Sequence, residues 1–250
     1  MFLRRQMNIS AYLAGSNTWK LIIIKTFFTK IVYIHTLKEC EMEKIHVIDE
    51  QTLESAMSYA QYTKLLGDLA KQGKTTGTNQ SSNMVSYGKL NFQRLKRVYK
   101  TAELTDELKA TIANIKNSMV WIALTEGWCG DAAQNLPPIA LMSELTDKID
   151  FKLLLRDEHP EVMDAYLTNG GRSIPKMIVF RKSDLEELGT WGPRPTPFQK
   201  RVMDYKENPN MPYEAFTEEL HKKYNQDKTL TLQKEFVTLI QKWDDQGNQI

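Results

Sequence analysis

Ser118-Met119-Val120-Trp121-Ile122-Ala123-Leu124-Thr125-Glu126-Gly127-Trp128-Cys129-Gly130-Asp131 is the stretch on which the fold turns. Its first half is a nearly continuous apolar run of strand length. That pattern belongs to a central strand covered on both faces, not to one with a solvent side. Its second half sets a Trp-Cys pair between two glycines. Residues 132–145 follow with Leu136, Ile139, Ala140 and Leu145 at helical spacing, and Pro137-Pro138 is expected to kink that helix. Strand, loop and helix in this order place Cys129 just ahead of a helix N-terminus.

Working outward, residues 149–155 read as a second buried strand. His159-Pro160 opens a helix to Leu167, since proline suits a first turn, and Asn169-Gly170-Gly171 ends it. Pro175 introduces a third strand over residues 176–180. A fourth, over 185–191, is expected to be antiparallel and near an edge, with Trp191-Gly192-Pro193-Arg194-Pro195 as the turn after it. Residues 213–224 and 231–243 read as helices. Upstream, residues 52–69 have helical periodicity, 71–82 form a polar loop, and 87–99 make a further helix whose Arg94, Lys96, Arg97 and Lys100 are read as a solvated face. Thr105 caps a helix to Ile115, with Asp106 and Glu107 in its first turn. The order predicts an α/β fold: a mixed β-sheet with helices on both faces, plus N-terminal and C-terminal helical extensions. Helical crossovers imply parallel pairing, and the terminal hairpin adds one antiparallel strand. The boundaries that follow are 42–116 for a helical region packing on the core, 117–205 for the core and 206–250 for the C-terminal helices.

Residues 1–41 carry six basic side chains against Glu39 and Glu41, while the other 209 residues carry 27 basic and 29 acidic ones. The near-neutral body argues against a nucleic-acid footprint. Lys25 and Lys30 interrupt the apolar runs of the first segment, so it lacks the ~20 apolar residues of a spanning helix, and no cleavage site follows it. Residues 1–41 are expected to lie outside the folded protein, with Met42 as a start site. Only Cys40 and Cys129 are present, 89 positions apart, and the four histidines are scattered. No disulfide framework or metal-ligand spacing arises, a pattern that suits a reducing, cytoplasmic compartment. His159 beside Asp157 and Glu158 is read as turn composition.

Trp128-Cys129-Gly130-Asp131, after an apolar strand and before a helix, resembles the reactive-site loop of thioredoxins, normally Trp-Cys-Gly-Pro-Cys. The helix prolines eight and nine positions after the cysteine, the segment Leu153 to Pro160, and Gly171-Arg172-Ser173-Ile174-Pro175-Lys176-Met177-Ile178-Val179-Phe180 resemble the rest of that family's core in order and spacing. The resemblance implies a thioredoxin-like fold over about 90 residues, with a cis peptide bond at Ile174–Pro175 facing Cys129. The Trp191 to Pro195 segment is read first as the turn after the fourth strand, with a place at the border of the reactive groove as its other reading.

A helix N-terminus carries unpaired N–H groups and roughly half a positive charge, and cysteines placed there fall from about 8.5 into the ~3.5–7.5 range. Cys129 is therefore the candidate nucleophile. Trp128, Gly130, Asp131, Ile174 and Pro175 are the candidate substrate-binding residues, with Trp128 shielding the sulfur. Three departures oppose dithiol chemistry. Ala132 stands where the family has its resolving cysteine. Asp131 replaces proline and brings a negative charge to the sulfur. Ala123 stands where thioredoxins bury an acid, so no acid is expected to serve the loop. Two readings remain. In the first, Cys129 performs monothiol thiol-disulfide exchange on protein or small-molecule disulfides, with glutathione or another small thiol as co-substrate. In the second, the domain is redox-silent and binds a partner's extended segment beside Pro175. Neither calls for a metal, a resident cofactor or a membrane.

Overall fold

The computed structural model describes residues 47–247; the expected non-native segment 1–41 lies outside them. Strand β2 (Met119–Thr125) is buried at every position, as its unbroken apolar run requires. It lies at the centre of a five-stranded sheet of order β1 (Met57–Ser58), β3 (Ile149–Leu155), β2, β4 (Lys176–Arg181), β5 (Glu187–Trp191). β3 runs parallel to it, joined by helix α5 (Gly130–Ser143). β4 lies on its other side, and β5 forms the far edge.

β4 pairs antiparallel with β2, where the helical crossover predicted a parallel strand. The reason is length. Helix α6 (Pro160–Ala165) has six residues, which rise only ~9 Å, so the chain does not travel back along the sheet. It re-enters where it left: Leu155 ends β3 beside Thr125, and Lys176 opens β4 beside Leu124. This reversal brings Ile174 and Pro175 to the C-terminal end of β2, where the Cys129 loop also begins.

The helical reading of residues 52–69 divides into three elements. Helix α1 (Glu50–Ser55) is capped by the Asp49 carboxylate, which accepts the Thr52 N–H. Met57 and Ser58 form the two-residue strand β1 on the edge of β3, and helix α2 (Tyr59–Lys71) follows. A capping box decides the break. Ser58 Oγ accepts the Gln61 N–H, and the Gln61 side chain accepts the Ser58 N–H. Helix α3 (Ser82–Thr101) is longer than periodicity suggested, and α4 (Asp106–Ala113) starts at the expected Thr105 cap.

At the C-terminal end, three helices replace the two expected. The sequence pattern predicts α8 (Tyr213–Asp227) and α9 (Leu230–Gln246), and α7 (Thr196–Glu207) is the additional one. α9 seals the sheet through aromatic contacts. The Trp121 ring meets Phe236 at 5.7 Å and Trp243 at 5.9 Å, and Trp191 meets Phe236 at 5.3 Å, all edge-on. Such pairs contribute about 0.5–1.5 kcal/mol each beyond area burial. The α7–α8 hairpin instead has a small core of its own, Phe198, Val202, Phe216, Leu220 and Tyr224. Among the described residues, no helix is long and apolar enough to cross a membrane.

Candidate active site: a buried thiol under polar pins

Cys129 is the N-cap of α5, and its sulfur accepts the Ala132 N–H at 3.4 Å. The thiol donates in turn to the Ile174 carbonyl oxygen at 3.3 Å. The Ile174–Pro175 bond is cis, as is Gly192–Pro193. Three of the residues singled out in the sequence, Cys129, Ile174 and Pro175, thus meet at the end of β2. They meet in a closed arrangement, however. Cys129 is 7% exposed and Ile174 6% exposed, and Pro175 is also buried.

Burial dominates the chemistry of the thiol. Desolvation pushes its pKa up to about 12, and the neighbouring Asp131 charge adds to the rise. The Ala132 N–H and the Arg194 guanidinium pull the other way and lose. The expected effect of Asp131 is therefore present, but lack of water is the larger cause, and the helix N-terminus does not offset it.

Asp131 does not cap the helix. Its Oδ2 lies 2.6 Å from an Arg194 nitrogen, and its Oδ1 accepts the Tyr224 hydroxyl at 3.0 Å. Asn135 Nδ2 donates to the Asp131 carbonyl at 2.9 Å and to the Tyr224 oxygen at 3.2 Å. Gly130 lies against the hairpin too: a Cβ there would stand 2.9 Å from two ring atoms of His221 and 3.6 Å from an Arg94 nitrogen. The His221 ring sits 3.3 Å from the Gln134 amide. Burial, then Arg94, lowers its pKa to about 4, so the ring is neutral near pH 7.

Arg94 is half-buried and faces the loop, contrary to its reading as part of a solvated face; it donates to Asn91, whose own amide holds the Trp128 carbonyl at 2.7 Å. The Trp128 ring packs under the Arg156 guanidinium at 4.8 Å. Gly192 closes the other side. With φ of +116°, it rests on the Pro175 carbonyl so closely that a Cβ would sit 2.2 Å from that oxygen. The turn after β5 therefore covers the groove.

Two features escaped the sequence. Glu126, in the loop itself, is fully buried; burial raises its pKa, and it accepts the Asp157 N–H at 2.9 Å. An acid does lie beside the loop, although Ala123 is none, and its partner is the Asp157 backbone, not the sulfur. The polar loop after α2 also buries Thr75 and Thr76, and Thr76 Oγ1 accepts the Gly127 N–H at 2.7 Å. The signal available was the run of hydroxyl and amide side chains at 75–80, which can replace backbone partners. A cleft of about 920 Å³ between α3, α4 and the α8–α9 turn is walled by Gln134 and Tyr224 but not by Cys129.

A family model described as Thioredoxin matches residues 77–208. The chain belongs to the thioredoxin family. This thioredoxin-family protein has no match among the curated proteins compared. Two solved structures resemble it: an HIV epitope scaffold at 16% identity and a protein of unknown function from Pseudomonas aeruginosa at 15%. Each aligns over 74% of this chain and 98% of its own, with a TM-score of 0.45. The thioredoxin-family membership and the mixed sheet agree with the family and fold that the sequence resemblance implies.

Proposed function

We propose that this thioredoxin-family protein is a redox-silent binding module that takes an extended segment of a partner beside Ile174 and Pro175. One observation carries the reading: the Cys129 sulfur is shut from water and donates its proton to the Ile174 carbonyl. A thiol in that position is protonated at neutral pH and gives little thiolate, the species that attacks disulfides. The absence of a second cysteine at position 132 supports it, since a mixed disulfide at Cys129 has no internal thiol to release it. The partner is a protein in the cytoplasm, with no metal or resident cofactor.

Monothiol exchange remains the second reading because the sulfur keeps its place at a helix N-terminus against a cis Ile174–Pro175 bond. A turnover assay separates the two. The full chain and its Cys129→Ser variant are given a mixed disulfide of glutathione and a small thiol, with reduced glutathione as co-substrate. Equal rates for the two proteins are expected. Turnover that disappears in Cys129→Ser overturns the silent reading and restores exchange with glutathione as co-substrate.

A further inference from the structure

We infer that the α7–α8 hairpin is a hinged cover that occupies the groove beside Pro175 and opens as a unit to admit a partner. The inference rests on the binding reading above. The hairpin leaves the sheet at Gly192 and rejoins the body at α9. Both ends hold the chain in the left-handed region: Gly192 at φ +116°, and Lys228 and Thr229 at φ 50° and 68°. Consecutive left-handed residues without glycine are uncommon, and they concentrate bending at one point. Between these ends the hairpin keeps its own core of five buried side chains, apart from the main core. It can therefore move without exposing its own apolar interior.

Its named contacts with the reactive loop are polar. Arg194 and Tyr224 hold Asp131, Asn135 holds Tyr224, and the Gln134 amide holds His221. Further out, Arg97 donates to Asn225 at 2.7 Å. Water or a partner's polar groups can replace every one of these, unlike the aromatic contacts that fix α9. The cover also stands on the reactive loop itself, with the His221 ring 2.9 Å from where a Cβ at Gly130 would lie. Local openings of this kind have lower free energies than global unfolding.

Iodoacetamide labelling of Cys129 in the full chain tests this, read on the Cys129 peptide by mass spectrometry across 0 to about 3 M urea. The cover predicts a labelling rate that is flat at low urea and then joins the global unfolding curve. Tyr224→Phe and Arg194→Gln should each raise the flat part about 5- to 10-fold. A rate that tracks global unfolding at every urea concentration overturns the cover, and the wild-type curve alone decides this if a variant fails to fold. The two proposals fail differently. Cys129-dependent turnover would sink the binding reading and leave the cover standing. Labelling only through global unfolding would sink the cover and leave the thiol silent.

Discussion

Arg194 reaches back 63 positions to place a guanidinium nitrogen 2.6 Å from the Asp131 carboxylate, two residues beyond the loop cysteine. The same carboxylate accepts the Tyr224 hydroxyl. The residue that departs most visibly from the family's loop is thus also the one that anchors the C-terminal elements over it. Asp131 raises the thiol pKa directly and helps to hold the cover that keeps water out.

Asp131→Asn removes the nearby negative charge and leaves Arg194 facing the sulfur. Both changes favour thiolate, and a weakened cover admits water as well. The thiol pKa should fall, and Cys129 alkylation at pH 8 should rise at least several-fold over wild type. A variant that labels no faster would show that Asp131 has no hold on the thiol.

Gly192→Ala should be among the most damaging single substitutions in the chain. A side chain at φ +116° is strained, and its Cβ would meet the Pro175 carbonyl oxygen at 2.2 Å, a backbone atom that cannot swing aside. Backbone strain at such a position costs about 1–3 kcal/mol before the clash is added. Urea denaturation should show a loss above ~3 kcal/mol, or no folded protein.

Thr76→Val keeps the shape of a 4% exposed side chain but removes the oxygen that accepts the Gly127 N–H. Leaving a buried donor without a partner costs about 1–3 kcal/mol. The loss should appear in urea denaturation with an unchanged slope, and no loss would mean water replaces the hydroxyl.

His221 gives the hairpin a pH dependence. Its folded pKa, about 4, lies below the unfolded value of 6.5. The unfolded chain therefore takes up the proton first, and the stability that neutral His221 contributes is full above about pH 6.5 and lost as pH falls toward 4. Carboxylates titrate in part of the same window, so the difference between proteins is what counts. His221→Gln should show a smaller fall in melting temperature between pH 7 and 4.5 than wild type. An equal fall would place the acid sensitivity elsewhere.

The core was legible where pattern is local. β3 has the expected bounds, Ile149–Leu155, and β2 is shifted by one residue. The pairing of Cys129 with Ile174 and Pro175 followed from the family resemblance. What stayed hidden depends on distant chain. α7 begins among Pro193, Pro195 and Pro197 and buries only Phe198 and Val202, too sparse a stripe to outweigh the prolines. Glu126 looks like a loop acid, and the groups that meet it in its buried place, the Thr76 side chain and the Asp157 backbone, lie fifty positions before it and thirty-one after. The covered state of the thiol was least legible of all, because Arg194, His221 and Tyr224 lie 65 to 95 positions after it. A helix N-terminus predicts an acidified cysteine only where water reaches it.

The most direct test of the silent thiol is the rate of Cys129 alkylation between pH 5 and 10, followed on its own peptide in the full chain. The buried sulfur predicts slow labelling that is still climbing at pH 10, without a midpoint below the free-thiol value of about 8.5. A midpoint below about 7.5 would mean an activated thiolate, and would contradict the account.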